Sequence, residues 1–261
     1  MKYSALTERA IRKGSNDDTA YAAEPVPGRD QGVFLVCKGT GPKNAGAFAS
    51  AYVCNTIAPR LIDWLRGQGA DASYQTGECA LRTSIADANE GLRAQLRDRI
   101  DMIGSGAVIA IAMVLGTKDE DKERVAQTLV ANVGDCRVYA IGKKMTSITD
   151  DHSLSACNPS DAPGLEGVDQ MRRLGVAKVL GMTDGVEPAL HRVALRKHIK
   201  LLLCSPGVTL HLKDEEILSI VGTEHDPESA CRNIMKACAD RGTADDVSVI
   251  VVQREDFAPS Q

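Results

Sequence analysis

Residues Val33–Pro42 read VFLVCKGTGP. Four consecutive apolar residues, Val33, Phe34, Leu35 and Val36, predict a short strand buried on both faces, and Gly39 and Gly41 predict the turn that breaks it. A side chain at the end of such a strand is held rigidly over whatever the loop encloses. Many enzymes place a metal-binding carboxylate there; this chain has Lys38.

Working outward, Asn44 to Leu65 carries Ala45, Phe48, Ala49, Tyr52, Val53, Ile57, Leu61 and Leu65 at the spacing of an amphipathic helix, with Pro59 predicting a kink or break. Thr76 to Ile100 predicts a second helix, with Leu81, Ile85, Ala88, Leu92 and Leu96 on one face. GSGAVIAIAMVLG, residues 104–116, is the clearest buried strand, and the charged run Lys118 to Arg124 reads as a solvated hairpin loop. RVAQTLVANVGD, CRVYAIG and MTSIT predict three further strands at hairpin spacing. From Asp150 to Asp169 the composition turns to Ser, Asp, Asn, Pro and Gly, a long irregular segment of the kind that is functional or mobile. VDQMRRLG predicts a short helix, Leu190 to Val208 two strands, Lys213–Val221 and Pro227–Arg241 two helices, and DVSVIVVQ a closing strand. Upstream, residues 1–30 read as polar and turn-rich, with SNDD (15–18) as a turn or helix cap. Hairpin-spaced strands with helices in pairs predict a sheet sandwich flanked by helices, not a parallel fold.

Bulk properties narrow the function. The chain has 261 residues with no obvious linker, so a single domain over 1–261 is expected. Aromatic residues make up only 3%, which leaves Ala, Val, Ile and Leu to build the core. A formal charge of −4 argues against nucleic acid as a main partner. The eight cysteines form no C-x-x-C pair and fall mostly in apolar segments, as reduced core thiols in a cytoplasmic protein would. No run is long enough to span a membrane, and the N-terminus has no apolar leader. The five histidines lack zinc spacing, Gly39-Thr40-Gly41 lacks the G-K-[ST] ending of a phosphate loop, and GSG at 104–106 precedes a strand rather than a helix. Cys204, beside Ser205-Pro206-Gly207, reads as a buried strand thiol rather than a nucleophile.

In this order the segments resemble the type 2C metal-dependent serine/threonine protein phosphatases, especially their bacterial branch. SNDD is similar to the family's N-E-D segment, VFLVCKGTG to V-x-D-G-H-G, LLLCSPGVT to L-L-x-S-D-G-L, and GTADDVSVIVV to G-x-x-D-N-x-T-V-I-V. GSGAVIAIAMV, VANVGDCRVYAIG, ITDDHSL and KVLGMTDGVEP fall between them in family order. The resemblance covers nearly the whole chain and implies an α+β, four-layer αββα sandwich, with a flap at about 155–168.

It also implies a site. Family members hydrolyse phosphoserine and phosphothreonine with two Mn²⁺ or Mg²⁺ ions, which activate a shared water and neutralise phosphoryl charge. By position, the family's acidic pair falls on Asp17 and Asp18, and its metal-bridging carboxylate on Lys38, followed by Gly39. The S-D-G carboxylate falls on Pro206, the last ligand on Asp245, the loop histidine on Thr40 and the phosphate-binding arginine on Lys13. Asp135, Asp151 and His152 match positions around the centre. Lys38 and Pro206 remove two ligands, so no metal and no catalytic residue is expected. The Lys38 ammonium is expected to sit among Asp17, Asp18 and Asp245 as a substitute cation. The expectation is a pseudophosphatase that binds a kinase, a phosphoprotein or an active phosphatase. Arg12, Lys13 and Lys38 would draw phosphate to its cleft, and the flap would serve as partner surface. The alternative is a weakly active enzyme using one metal at Asp17, Asp18 and Asp245, with Asp135.

Overall fold

The structure is a computed structural model; it describes residues 1–10, 13–24, 30–42, 44–68, 72–117, 125–152 and 175–254. Two five-stranded antiparallel sheets stack face to face. The first runs in the order β1 (Lys2–Glu8), β10 (Val247–Gln253), β9 (Lys200–Cys204), β6 (Arg137–Ile141), β7 (Met145–Ser147). The second runs β2 (Asp18–Ala23), β3 (Gly32–Thr40), β4 (Gly106–Thr117), β5 (Ala126–Val133), β8 (Ala189–Leu195). Helices α1 (Ala45–Gln68) and α2 (Tyr74–Leu96) cover the second sheet. Helices α4 (Asp214–Thr223) and α5 (Pro227–Asp240) cover the first, and the single turn α3 (Pro206–Thr209) follows β9. The expected αββα sandwich is what the chain forms.

Strand alternation divides β3 between two cores. Val33, Leu35 and Cys37 face α1 and α2, packing with Leu61, Leu65, Leu81, Ile85 and Leu92. Phe34 and Val36 face the other sheet, meeting Leu201, Leu203, Ile250 and Val252. A third core joins Tyr139, Leu202, Val249 and Val251 to Ile217, Val221 and Ile234 beneath α4 and α5. Each large aliphatic side chain fully buried this way contributes about 1.5–3 kcal/mol, and these residues do the work that scarce aromatics cannot.

Three expectations are corrected. The strand does not stop before Lys38: β3 continues to Thr40, because β4 pairs with it through Thr40 and Gly106. Residues 1–30 are not merely turns, since β1 and β2 lie there as edge strands with half-exposed side chains. Pro59 does not break α1, which runs unbroken through it. Its missing N–H leaves the Asn55 carbonyl unpaired, but both residues lie on the exposed face where water serves. The 118–124 loop, the 155–168 flap and all but the last residue of VDQMRRLG lie outside the described residues.

Candidate functional site

The site forms at one end of the sandwich, where the inter-sheet face runs out of apolar residues. Alternation carries Ala20 and Ala22 of β2 and Phe34 and Val36 of β3 into the inter-sheet core, so Asp18 and Lys38 continue the same face. The two are direct cross-strand partners. On the facing sheet the same parity brings Ser205 after β9, and Asp246 and Ser248 at the start of β10.

Asp18 is the most unusual group. The residue is 5% exposed and neither carboxylate oxygen has a hydrogen-bond partner in good geometry, though the Ser205 and Ser248 hydroxyls stand close to it. Burial raises its pKa from 3.8 to about 7; the nearby Ser205 hydroxyl, the Lys38 ammonium and the Ser248 hydroxyl ease the charge, while Asp246 opposes it. Both hydroxyls have other bonds, Ser205 Oγ accepting from Ser248 N at 3.0 Å and Ser248 Oγ bonding Thr7 Oγ1 at 2.7 Å.

Lys38 reaches the neighbouring sheet, its Nζ 3.7 Å from Asp245 Oδ1, with 21% of the side chain exposed. Asp135, in the turn after β5, also feels it: burial raises the Asp135 pKa, Lys38 counteracts, and Asp151 adds to the rise. The ammonium thus lies among Asp18, Asp135 and Asp245. Asp17 is not in that group. Its Oδ1 accepts from the backbone N–H of Ala47 at 3.1 Å, satisfying an orphan donor in the first turn of α1, and from Ser15 Oγ at 3.1 Å.

Asp246 forms a second node, and sequence reasoning passed over it. Fully buried, it accepts from Ala10 N and Asp17 N, each at 2.8 Å, and from Lys13 Nζ at 2.9 Å. Lys13 also lies 3.4 Å from Asp17 Oδ2. Burial works against the Lys13 ammonium, but the bond to Asp246 and the charges of Asp246 and Asp17 outweigh it and raise its pKa. The signal was present in the sequence: Asp246 stands where the family pattern quoted above has asparagine.

The remaining candidates are peripheral. Gly39 N donates to the Asp17 carbonyl at 2.7 Å, and a Cβ on Gly39 would meet the Gly46 carbonyl oxygen at 1.8 Å. Only glycine lets β3 and α1 approach this closely. Thr40 ends β3 opposite Gly106. Asp151 is committed to Arg137 in a two-pronged ion pair at 2.8 and 2.7 Å, which raises the guanidinium pKa further. His152 Nδ1 accepts from Gly134 N at 3.1 Å; burial, then Lys178, lower its pKa and favour the neutral ring that this bond requires. Pro206, buried at the first position of α3, offers no side-chain oxygen. Arg12 lies outside the described residues. Lys13 and Lys38, expected to draw phosphate, each lie beside a carboxylate, Asp246 and Asp245 respectively.

Cys204 is fully buried and its thiol is pushed up to about 12, so the inert reading holds. The seven described cysteines are all free thiols. No described helix is long and apolar enough to cross a membrane.

Two five-stranded antiparallel sheets in this order, flanked by paired helices, form the fold of the type 2C serine/threonine protein phosphatases. The chain is similar in sequence, at low identity, to serine/threonine phosphatases. It is 24% identical over 253 residues to the serine/threonine phosphatase stp of Listeria monocytogenes, covering 95% of this chain and 94% of that one. To the PstP phosphatase of Mycobacterium tuberculosis it is 24% identical over 260 residues, covering 98% of this chain and 46% of the relative. Among solved structures, Mycobacterium tuberculosis PstP superposes with a TM-score of 0.74 at 21% identity, covering 98% of this chain and 99% of that one. Stp1 from Staphylococcus aureus superposes with a TM-score of 0.75 at 24% identity, covering 97% and 95%. No protein-family model matches the chain.

Proposed function

We propose that this chain is a catalytically silent type 2C domain, a pseudophosphatase, acting as a binding or regulatory module in serine/threonine phosphorylation signalling. Its partner is then a protein: a kinase, a phosphoprotein or an active phosphatase. The observation that carries this is the Lys38 ammonium, 3.7 Å from Asp245 where the resemblance calls for a carboxylate that bridges two metal ions.

Electrostatics counts against those ions. At an effective dielectric constant of about 20, two unit charges 4 Å apart interact by about 4 kcal/mol. A dication beside the ammonium would therefore be repelled by about twice that, and it would also lack the attraction of the missing carboxylate. Pro206 removes a second oxygen, and Asp246 is saturated by three donors. Among the described residues no three His, Cys, Asp or Glu side chains are grouped to hold a metal ion. The donor set does not suit the family's Mn²⁺ or Mg²⁺ pair, and a lysine cannot lower the pKa of a water as a bound dication does.

The test is hydrolysis of a phosphothreonine peptide in millimolar Mn²⁺, beside an active type 2C phosphatase. No turnover above buffer is expected. Turnover that disappears in Asp245→Ala would overturn the proposal in favour of a reduced metal site. Lys38→Asp combined with Pro206→Asp should gain Mn²⁺ affinity measurable by calorimetry. A folded double variant that ignores Mn²⁺ would show the positional assignment to be wrong.

A further inference from the structure

We propose that Lys13 and Lys38 together serve as built-in counter-cations for this end of the sandwich. They hold its carboxylates in place without metal, and both of these ammonium groups are engaged by carboxylates rather than free for a phosphoryl group. The inference rests on reading the centre as metal-free, and it concerns what stabilises the domain and what its partner must offer.

The two lysines divide the acids between them. Lys13 spans Asp246 and Asp17, at 2.9 and 3.4 Å, and Lys38 takes Asp245 at 3.7 Å while facing Asp18 and Asp135. The adjacent residues Asp245 and Asp246 thus hold one lysine each. Neither link is local. Lys13 and Asp246 are 233 positions apart, and the same carboxylate fixes the backbone of Ala10 and Asp17. Through Asp17 and its bond to Ala47 N, the Lys13 node also holds the first turn of α1 against the sheets.

Two departures from the family pattern therefore compensate each other. Lys13 stands at the phosphate-binding arginine position and Asp246 at an asparagine position, and the two form a partly buried ion pair. A phosphate entering the cleft would have to take Lys13 from Asp246, leaving a carboxylate with no solvent exposure unpaired. Phosphate binding at these two lysines is then disfavoured.

The test is the melting temperature of the full chain in EDTA, in millimolar Mn²⁺ and in millimolar inorganic phosphate. The wild type should melt within about 1 °C of the same temperature in all three, whereas a ligand at a hundred times its Kd would raise it by roughly 5–10 °C. Lys13→Met should lower it by roughly 5–10 °C, and Lys38→Met, whose pair is more exposed, by less. If Lys13→Met fails to fold, Lys13→Met with Asp246→Asn, which removes both charges, should fold and melt closer to the wild type. A saturable rise in wild-type melting temperature with Mn²⁺ or phosphate would overturn the proposal, as would both methionine variants melting like the wild type. Peptide hydrolysis in the same samples separates the two readings. Turnover in Mn²⁺ removes the silent-domain reading and with it the metal-free centre on which the counter-cations rest. Stabilisation by Mn²⁺ without turnover removes the counter-cations alone.

Discussion

Asp18→Asn should stabilise this protein, and more so as the pH rises. The carboxylate is buried without a hydrogen-bond partner in good geometry, and burial moves its pKa from 3.8 to about 7. Each tenfold change in proton affinity is worth about 1.4 kcal/mol, so holding Asp18 ionised in the folded state costs about 4 kcal/mol. The sign follows from proton counting. Between pH about 4 and about 7 the folded state keeps a proton that the unfolded state has released, so stability falls as pH rises through that window. Above it the whole penalty is present. An asparagine escapes the penalty but brings an amide whose hydrogens need acceptors; the Ser205 and Ser248 hydroxyls stand near enough to serve. The expected net gain at pH 8 is about 1–3 kcal/mol, shrinking by about 3 kcal/mol at pH 5, where native Asp18 is already neutral. Urea unfolding of both proteins at the two pH values, in EDTA, measures it. A loss of stability at pH 8, or a gain of equal size at both pH values, would refute the reasoning.

Gly39→Ala should destabilise by about 3 kcal/mol or more, since its Cβ has a backbone carbonyl oxygen 1.8 Å away that cannot yield without moving α1; urea midpoints will show it. Of the seven described cysteines, Cys79 alone is exposed. Burial raises Cys37 and Cys136 well above the thiol range, Cys54 and Cys204 to about 12, and Cys231 and Cys238 to about 11. Iodoacetamide at pH 8 should therefore label Cys79 quickly and those six only on unfolding, as peptide mass spectrometry can follow. Arg137→Lys should cost about 1 kcal/mol, because an ammonium cannot reproduce the two-pronged bond to Asp151; thermal melting checks it.

The buried strands and amphipathic helices were legible because each carries its own signal. β3, β4 and β10 are near-continuous apolar runs, and α1 and α2 repeat Leu, Ile and Ala at helical spacing. β1 and β2 were not legible, since as edge strands they bury little of themselves and depend on partners elsewhere in the chain. The site divides along the same line. Lys38 stood out because a strand and a glycine turn frame it. Asp246 did not, because its meaning lies in Lys13, Ala10 and Asp17, more than two hundred positions away. That Asp17 caps α1, rather than joining the cluster around Lys38, likewise depends on where Ala47 falls after folding.

β1 pairs only with β10 in its sheet, so the first strand of the domain waits for the last. Closing so long a loop is slow, and until it happens β1 and β9 each present an open edge to other chains. The Lys13–Asp246 clasp shuts in the same event. Truncation that removed β10 would therefore leave β1 without its sheet partner and β9 with an open edge.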